Sequence, residues 1–366
     1  MALQMPGRGG ARKRAAQASP IVYRWDLDKT YLRTDFDSVR QLLRVPFERA
    51  EDKTVVPGVI ELIRALKPCA ERAGRTAQIF FLSASPPQIG KAIRGKLAID
   101  AVPYDGIVFK NQLQHVLRGK FHNLREQIGF KLAELLRSRH ALPAATVEIL
   151  FGDDWESDAI AYSLYADTVA RRLTVEELSR LLASVRVDPK IAEEVLTLAA
   201  MVTPAQAVRK IFVNLERRTP PVSFRRLGPR VVPTFNYLQT AAILQADGYL
   251  DSSAVSDVAR SLVERASYTP SRLANSLADL CRRGHLAAAD ELAIRDRLAR
   301  DGLLPAAARI RPTQRWRMRA GAGLRGLGRR WRNAMPADSD RANAGPVDYH
   351  VVLGEWAGGR LRRRAE

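Results

Sequence analysis

An α/β fold with a parallel sheet, followed by an all-helical region and basic tails, is predicted by three observations. Short apolar runs of strand length alternate with helix-patterned segments over the first 170 residues. The polar signatures that stand out each follow directly on such a run. Asp26 and Asp28 close IVYRWDLD, Ser83 follows QIFFL, and Gly152, Asp153 and Asp154 follow VEILF. Beyond about Leu173 only helical patterns are read. Alternation of this kind implies parallel strands with helices on both faces. In such sheets ligands bind outside the carboxyl ends of the strands, where all three signatures lie.

The elements follow in order. Ile21–Asp26 reads as the first strand. A short helical pattern sits near Ser38 to Arg44, and Pro57-Gly58 opens a helix through about Leu66, with proline at a helix start. Gln78–Leu82 is the second strand, and Pro86 and Pro87 precede another helix. Gly106–Phe109 is a third strand. Leu124–Arg139 is a helix with apolar positions at Ile128, Leu132, Leu135 and Leu136. Val147–Phe151 is the next strand, followed by a helix through about Leu164 and a possible strand at Asp167–Ala170. In the helical region, Thr174 with Glu177 forms a capping-box signature, Val202-Thr203-Pro204 opens a further helix, and Thr219–Pro233 reads as a loop. Gly248, Leu250, Val258 and Leu262 recur as Gly284, Leu286, Ile294 and Leu298. Two imperfect copies imply a pair of helical hairpins rather than a solenoid.

Four segments result: a disordered basic tail over 1–20, an α/β domain over 21–172, a helical domain over 173–305, and an Arg-rich, largely disordered tail over 306–366. The net charge of +20 is uneven across them. Residues 1–20 carry +4 and residues 306–366 carry +9, so the 285 residues between them hold only +7. Arg309 to Arg332 contains nine arginines, no acidic residue, and Trp316 and Trp331. Interleaved Arg and Trp suit an anionic membrane surface or nucleic acid, with a solvated tail as the bland alternative. The first twenty residues hold no apolar signal core, no run is long enough to span a bilayer, and Cys69 and Cys281 are in no metal spacing. The expected location is the cytoplasm, with peripheral membrane contact through the tail.

Several chemistries lack their residues. There is no G-x-x-x-x-G-K-[ST] loop and no Ser-His-Asp or Cys-His order, and His115, His122 and His140 show no metal spacing. The aspartates point to phosphoryl transfer instead. A carboxylate can attack an anionic phosphate ester only where cations offset the charge. Mg²⁺ takes oxygen ligands and commonly uses one or two carboxylates plus phosphate oxygens. Asp26, Asp28, Asp153, Asp154 and Asp158 could supply it. The side chains of Asp26 and Asp28 would point to opposite faces of a continuing strand, so the chain must turn after Asp26 for both to serve one substrate.

These signatures, in this order, resemble the haloacid dehalogenase-like phosphohydrolase superfamily. The resemblance implies a Rossmann-like core with a minimal cap and a Mg²⁺-dependent reaction through an aspartyl-phosphate. It implies Asp26 as nucleophile and Asp28 as general acid, then base. Thr30 would support the turn or the phosphate, and Ser83 would bind the transferring phosphoryl group. Lys131 would hold the nucleophile and phosphate charge together, with Lys110 and Lys120 competing for that role. Asp153 and Asp158 would hold the metal beside Asp26 and Asp28, with Asp154 the alternative. On residues alone, Asp28 could cap a turn, Ser83 or Ser85 could cap a helix, Asp154 could be a local cap or support the ligands from behind, and Glu156 and Trp155 could shape the loop.

A narrower resemblance, over about Ile21 to Ala170, is to the catalytic domain of App1-type phosphatidate phosphatases. Ser83, Ser85, Pro86, Gly152, Asp153, Glu156, Asp158 and Tyr162 fit that pattern. The sequence departs from it at Lys29, where a third Asp often stands, at Pro87 in place of Trp, and at Asp154-Trp155 in place of Ser-Gly. The implied substrate is phosphatidate or another anionic phosphate ester at a membrane surface. The gap from Thr30 to Pro57 is too short for a large lid, which favours an open site and a bulky substrate. The alternative reading is a protein whose helical domain and basic tails bind nucleic acid or a protein partner, with the phosphatase acting on a nucleic-acid end or a soluble phosphate.

Overall fold

The computed structural model describes residues 19–28, 30–32, 55–83, 90–109, 124–155, 157–305 and 347–362. The expected Ser38–Arg44 helix, the start of the helix after Pro87, and both Arg-rich stretches (residues 8–14 and 309–332) lie outside the described residues. So do Lys29, Ser85, Pro86, Lys110, His115, Lys120, His122 and Glu156.

Six strands form one parallel sheet: β1 (Ile21–Asp26), β2 (Ala77–Ser83), β3 (Gly106–Phe109), β4 (Val147–Asp153), β5 (Val208–Asn214) and β6 (Val231–Thr234). Their order is β3-β2-β1-β4-β5-β6. The chain builds outward from β1 in one direction, returns, and builds outward from β4 in the other. The switch point between β1 and β4 is where a doubly wound sheet opens its binding crevice. β1 is central, and all six of its residues are buried, as a strand covered on both faces requires.

Eleven helices are described. Seven lie between β1 and the end of the α/β part or follow it closely: α1 (Val59–Arg72), α2 (Gly90–Ile99), α3 (Leu124–His140), α4 (Asp158–Val169), α5 (Val175–Ser184), α6 (Pro189–Met201) and α7 (Tyr237–Ala246). Then come α8 (Ser252–Ala266), α9 (Pro270–Arg282), α10 (Ala288–Arg300) and α11 (Tyr349–Arg362). The strands' alternation divides the interior in two. Tyr23, Trp25, Ile149, Phe151 and Phe212 face a core shared with α1 and α7–α10. Leu150, Ile211 and Val213 face a second core with α3–α6 and α11.

The α/β part therefore does not stop at residue 172, and the region from 173 is not purely helical. β5 and β6 extend the sheet, and α7–α10 share the sheet's own core rather than forming one of their own. Val208–Asn214 forms β5 a few residues after Val202-Thr203-Pro204, where a helix was expected to open. Pro233 lies within β6, which sits at the sheet edge, the place where a strand tolerates a residue without an N–H. That proline masked the strand as part of a loop. The expected strand at Asp167–Ala170 is instead the end of α4. The tail is not wholly irregular either. Tyr349, Val352 and Leu353 of α11 are buried, and the Tyr349 hydroxyl donates to Asp167 Oδ2 at 2.6 Å.

Other expectations hold. Thr174 Oγ1 accepts from the Glu177 N–H at 3.1 Å and Glu177 Oε2 from the Thr174 N–H at 2.8 Å, closing the capping box at α5. The internal similarity is a pair of helix hairpins, α7–α8 and α9–α10. Gly248 and Gly284 take positive φ, +75° and +68°, where α7 and α9 end. That backbone is strained for side-chain-bearing residues, which is why a glycine ends each first helix. Leu250, Leu286, Val258, Ile294, Leu262 and Leu298 are all buried.

Candidate active site

Parallel pairing puts the carboxyl ends of β1, β2 and β4 side by side. Asp26 pairs with Leu82, and Trp25 pairs with Phe151, so Asp26 ends β1 next to Gly152. The chain turns immediately after Asp26. Leu27 N–H donates to Leu82 O at 3.1 Å, and the N–H groups of Tyr31 and Leu32 return to Leu27 O at 3.2 and 3.1 Å. This turn allows Asp26 and Asp28 to share a site. Asp26, Thr30, Ser83, Lys131 and Asp158 have no exposed surface, and Asp28, Asp153 and Asp154 are nearly as buried.

Lys131 projects from α3 into the centre. Its ammonium donates to Asp26 Oδ1 at 2.9 Å and to Asp158 Oδ1. A cation between two buried carboxylates offsets charge that would otherwise be costly to desolvate. Asp158, at the start of α4, also accepts the Asp153 N–H through Oδ2 at 3.3 Å. Asp28 Oδ2 accepts from the Ser83 hydroxyl at 3.0 Å. Asp153 Oδ1 accepts the Trp155 N–H at 2.7 Å. Asp154 turns to the β5–β6 connection, where its two oxygens accept the N–H groups of Arg217 and Thr219 at 2.9 and 3.0 Å. It braces that distant loop rather than capping its own. Thr30 is buried, with Oγ1 making no hydrogen bond.

Two contributors come from parts of the chain to which the motifs did not point. The Tyr237 hydroxyl of α7 donates to Thr30 O at 2.6 Å and pins the turn from the far side of the sheet. Burial, reinforced by the negative charges of Glu216, Asp153 and Asp26, pushes this phenol well above its ordinary pKa, so it remains a donor. It packs against Trp25, which stacks on Phe151 at 3.8 Å, and Phe151 on Phe212 at 5.4 Å. This aromatic row runs across β1, β4 and β5. No local motif marks Tyr237.

The second is a buried charge cluster beneath the site. Arg24 Nε donates to Glu148 Oε2 at 2.5 Å, Arg139 NH1 to Glu148 Oε1 at 3.2 Å, and Tyr165 Oη to Glu148 Oε1 at 2.8 Å. The signal for it was legible: Arg24 and Glu148 are opposite charges inside otherwise apolar strands.

The donor set at the switch point consists of hard carboxylate oxygens, which suit Mg²⁺. Among the described residues no three acidic, histidine or cysteine side chains are grouped so as to hold a metal by themselves. That is compatible with an ion that takes one or two carboxylates and completes its shell with water and substrate phosphate.

Fold and site together define a doubly wound α/β protein with a lysine-bridged aspartate site at its switch point. Residues 25–175 match the family described as "Phosphatidate phosphatase APP1, catalytic domain", in agreement with the resemblance read from the motifs. The match covers less than half of the chain. No curated protein sequence matches the chain. Among solved structures, a chain of "Structure of Pnkp1/Rnl/Hen1 complex" is similar at 15% identity and a TM-score of 0.25. The likeness covers 39% of this chain and 45% of that one, too little overlap to bear on the site. No helix among the described residues is long and apolar enough to cross a membrane.

Proposed function

We propose that the chain is a Mg²⁺-dependent phosphatase that works through an aspartyl-phosphate on an anionic phosphate ester, phosphatidate being the substrate class the family match favours. The observation that carries this reading is Lys131 bridging Asp26 and Asp158 at the β1–β4 switch point, with Ser83 on Asp28 alongside. A buried acidic cluster with its own cation is suited to receiving a phosphoryl group.

In this reading an Asp26 carboxylate oxygen attacks phosphorus. The phosphorus–oxygen bond to the leaving group breaks, and Asp28 gives its proton to the departing oxygen. Asp28 then takes a proton from water, the water oxygen attacks the same phosphorus, and the bond to Asp26 breaks, releasing phosphate. Ser83 holds Asp28 before substrate binds and turns its one hydroxyl proton to a phosphoryl oxygen when substrate is in place. Lys131 holds Asp26 in place and offsets charge on the phosphoryl group. Mg²⁺, when bound, neutralises charge on the phosphoryl oxygens. We assign it to Asp26 and Asp153, which end the adjacent strands β1 and β4. Asp28 and Asp158 stand beside them. The Arg/Trp segment 309–332 is proposed to hold the enzyme on an anionic membrane.

The test is release of inorganic phosphate from phosphatidate vesicles and from para-nitrophenyl phosphate, with and without Mg²⁺. Asp26→Asn is expected to lose turnover by at least about a thousandfold, with the circular dichroism spectrum unchanged. Full activity in Asp26→Asn would sink the mechanism. Vesicle turnover that is indifferent to removal of 309–332 would sink the membrane role.

A further inference from the structure

We propose that Arg217, seated on Trp155, is a specificity residue that selects phosphate esters carrying a second anionic oxygen group, a carboxylate or a further phosphate, near the scissile one. The proposal rests on the phosphatase reading for the identity of the scissile group, and narrows its substrates to esters more anionic than phosphatidate, which carries no second anionic group.

Trp155 stands two residues after Asp153, and its N–H is bonded to that aspartate's carboxylate. The 217–219 turn is pinned to the same loop by Asp154 through the Arg217 and Thr219 N–H groups. The Arg217 guanidinium carbon lies 3.8 Å from the centre of the Trp155 ring. Two backbone bonds and one stack thus fix an exposed arginine beside the loop that follows Asp153.

Stacking uses the face of the guanidinium and leaves its N–H edge for solvent or ligand. That edge is a planar fork of donors matched to carboxylate and phosphate oxygens. Among the described residues no carboxylate is paired with it. A long arginine held by a cation–π contact loses less freedom on binding than a mobile one, so more of its interaction energy is available to the ligand. An arginine serving only to hold the loop would have no need of an exposed, preorganised fork. Its backbone N–H already does the bracing.

The test uses full-length protein carrying Asp26→Asn, so that binding is read without turnover. Two probes are titrated calorimetrically: 3-phosphoglycerate and glycerol 3-phosphate. They share a phosphate and a three-carbon frame and differ in a terminal carboxylate. The carboxylate probe is expected to bind about tenfold more tightly, the scale of one charge-assisted fork. Adding Arg217→Ala should bring the ratio close to one, and Arg217→Lys should restore only part of it. Trp155→Ala should weaken the preference without removing the charge. Equal binding of the two probes, binding of neither, or a preference that survives Arg217→Ala each overturns the proposal. Turnover by the unmutated protein is read separately. Absence of turnover with the binding preference intact would overturn the hydrolase reading and leave the anion subsite standing.

Discussion

The Asp158 carboxylate lies against the bare backbone of Gly152. A Cβ at residue 152 would stand 2.5 Å from both Cβ and Oδ2 of Asp158. The glycine of GDDWESD thus makes room for the aspartate six positions on, which in turn holds Lys131.

Gly152→Ala should therefore push Asp158 off Lys131. Overpacking at a buried site costs roughly 1–3 kcal/mol, so the urea midpoint should fall. Turnover should fall by more than the stability loss explains, because Lys131 shifts relative to Asp26. Parallel denaturation and rate measurements check this. An alanine variant with wild-type kcat would remove Asp158 from the site's positioning.

Metal binding can be read without chemistry. A ligand that binds only the folded state stabilises it by about 2.7 kcal/mol at a hundred times its Kd. Mg²⁺ should raise the thermal midpoint of the wild type, and Asp153→Asn should remove most of the rise. Asp154→Asn, whose side chain serves the 217–219 amides, should retain it. An equal rise in all three proteins would place the ion elsewhere.

Tyr237→Phe removes one buried hydrogen bond, to Thr30 O. A loss of about 1 kcal/mol is expected, more if the carbonyl is left without a donor. Because that carbonyl belongs to the turn after Asp28, kcat should fall while the core remains packed. An unchanged kcat would make Tyr237 purely a core residue.

Burial holds several phenols above their ordinary pKa: Tyr23, Tyr31, with the Asp100 carboxylate adding to the effect, Tyr165 beside Glu148, Tyr237, and Tyr349 beside Asp167. Their folded-state values exceed the unfolded value near 10. The folded state therefore holds more protons once the pH passes about 10, and stability is lost as pH rises through that range. Below it these groups contribute no pH dependence. Denaturant midpoints should be insensitive to tyrosine ionisation at neutral pH and drop in alkali, and the drop should be smaller in Tyr237→Phe. A flat alkaline profile would contradict the burial of these hydroxyls.

Much of the site was legible before the fold was known. Asp26, Ser83 and Asp153 follow apolar strand-length runs, and the structure places all three at neighbouring strand ends. Lys131 had two competitors on sequence alone. Its contacts with Asp26 and Asp158 come from α3 lying across the sheet, which no spacing announces.

The later strands were harder to read. Val208–Asn214 lacks clean alternation because a strand covered on both faces has no polar side to show. Val231–Thr234 carries a proline that only an edge position tolerates. Tyr237 and Arg217 had no local signal, since each acts through partners far away in sequence: Thr30 for the first, Asp154 and Trp155 for the second.

The sequence by itself determined which residues could carry the chemistry and that they would end buried parallel strands, because burial and strand periodicity are written locally. The tertiary structure alone decided that β1 and β4 are neighbours, that α7 closes the back of the turn, and that Arg217 rests on Trp155. Those facts depend on strand order and helix packing, which join residues tens to hundreds of positions apart and leave no pattern in any short stretch of chain.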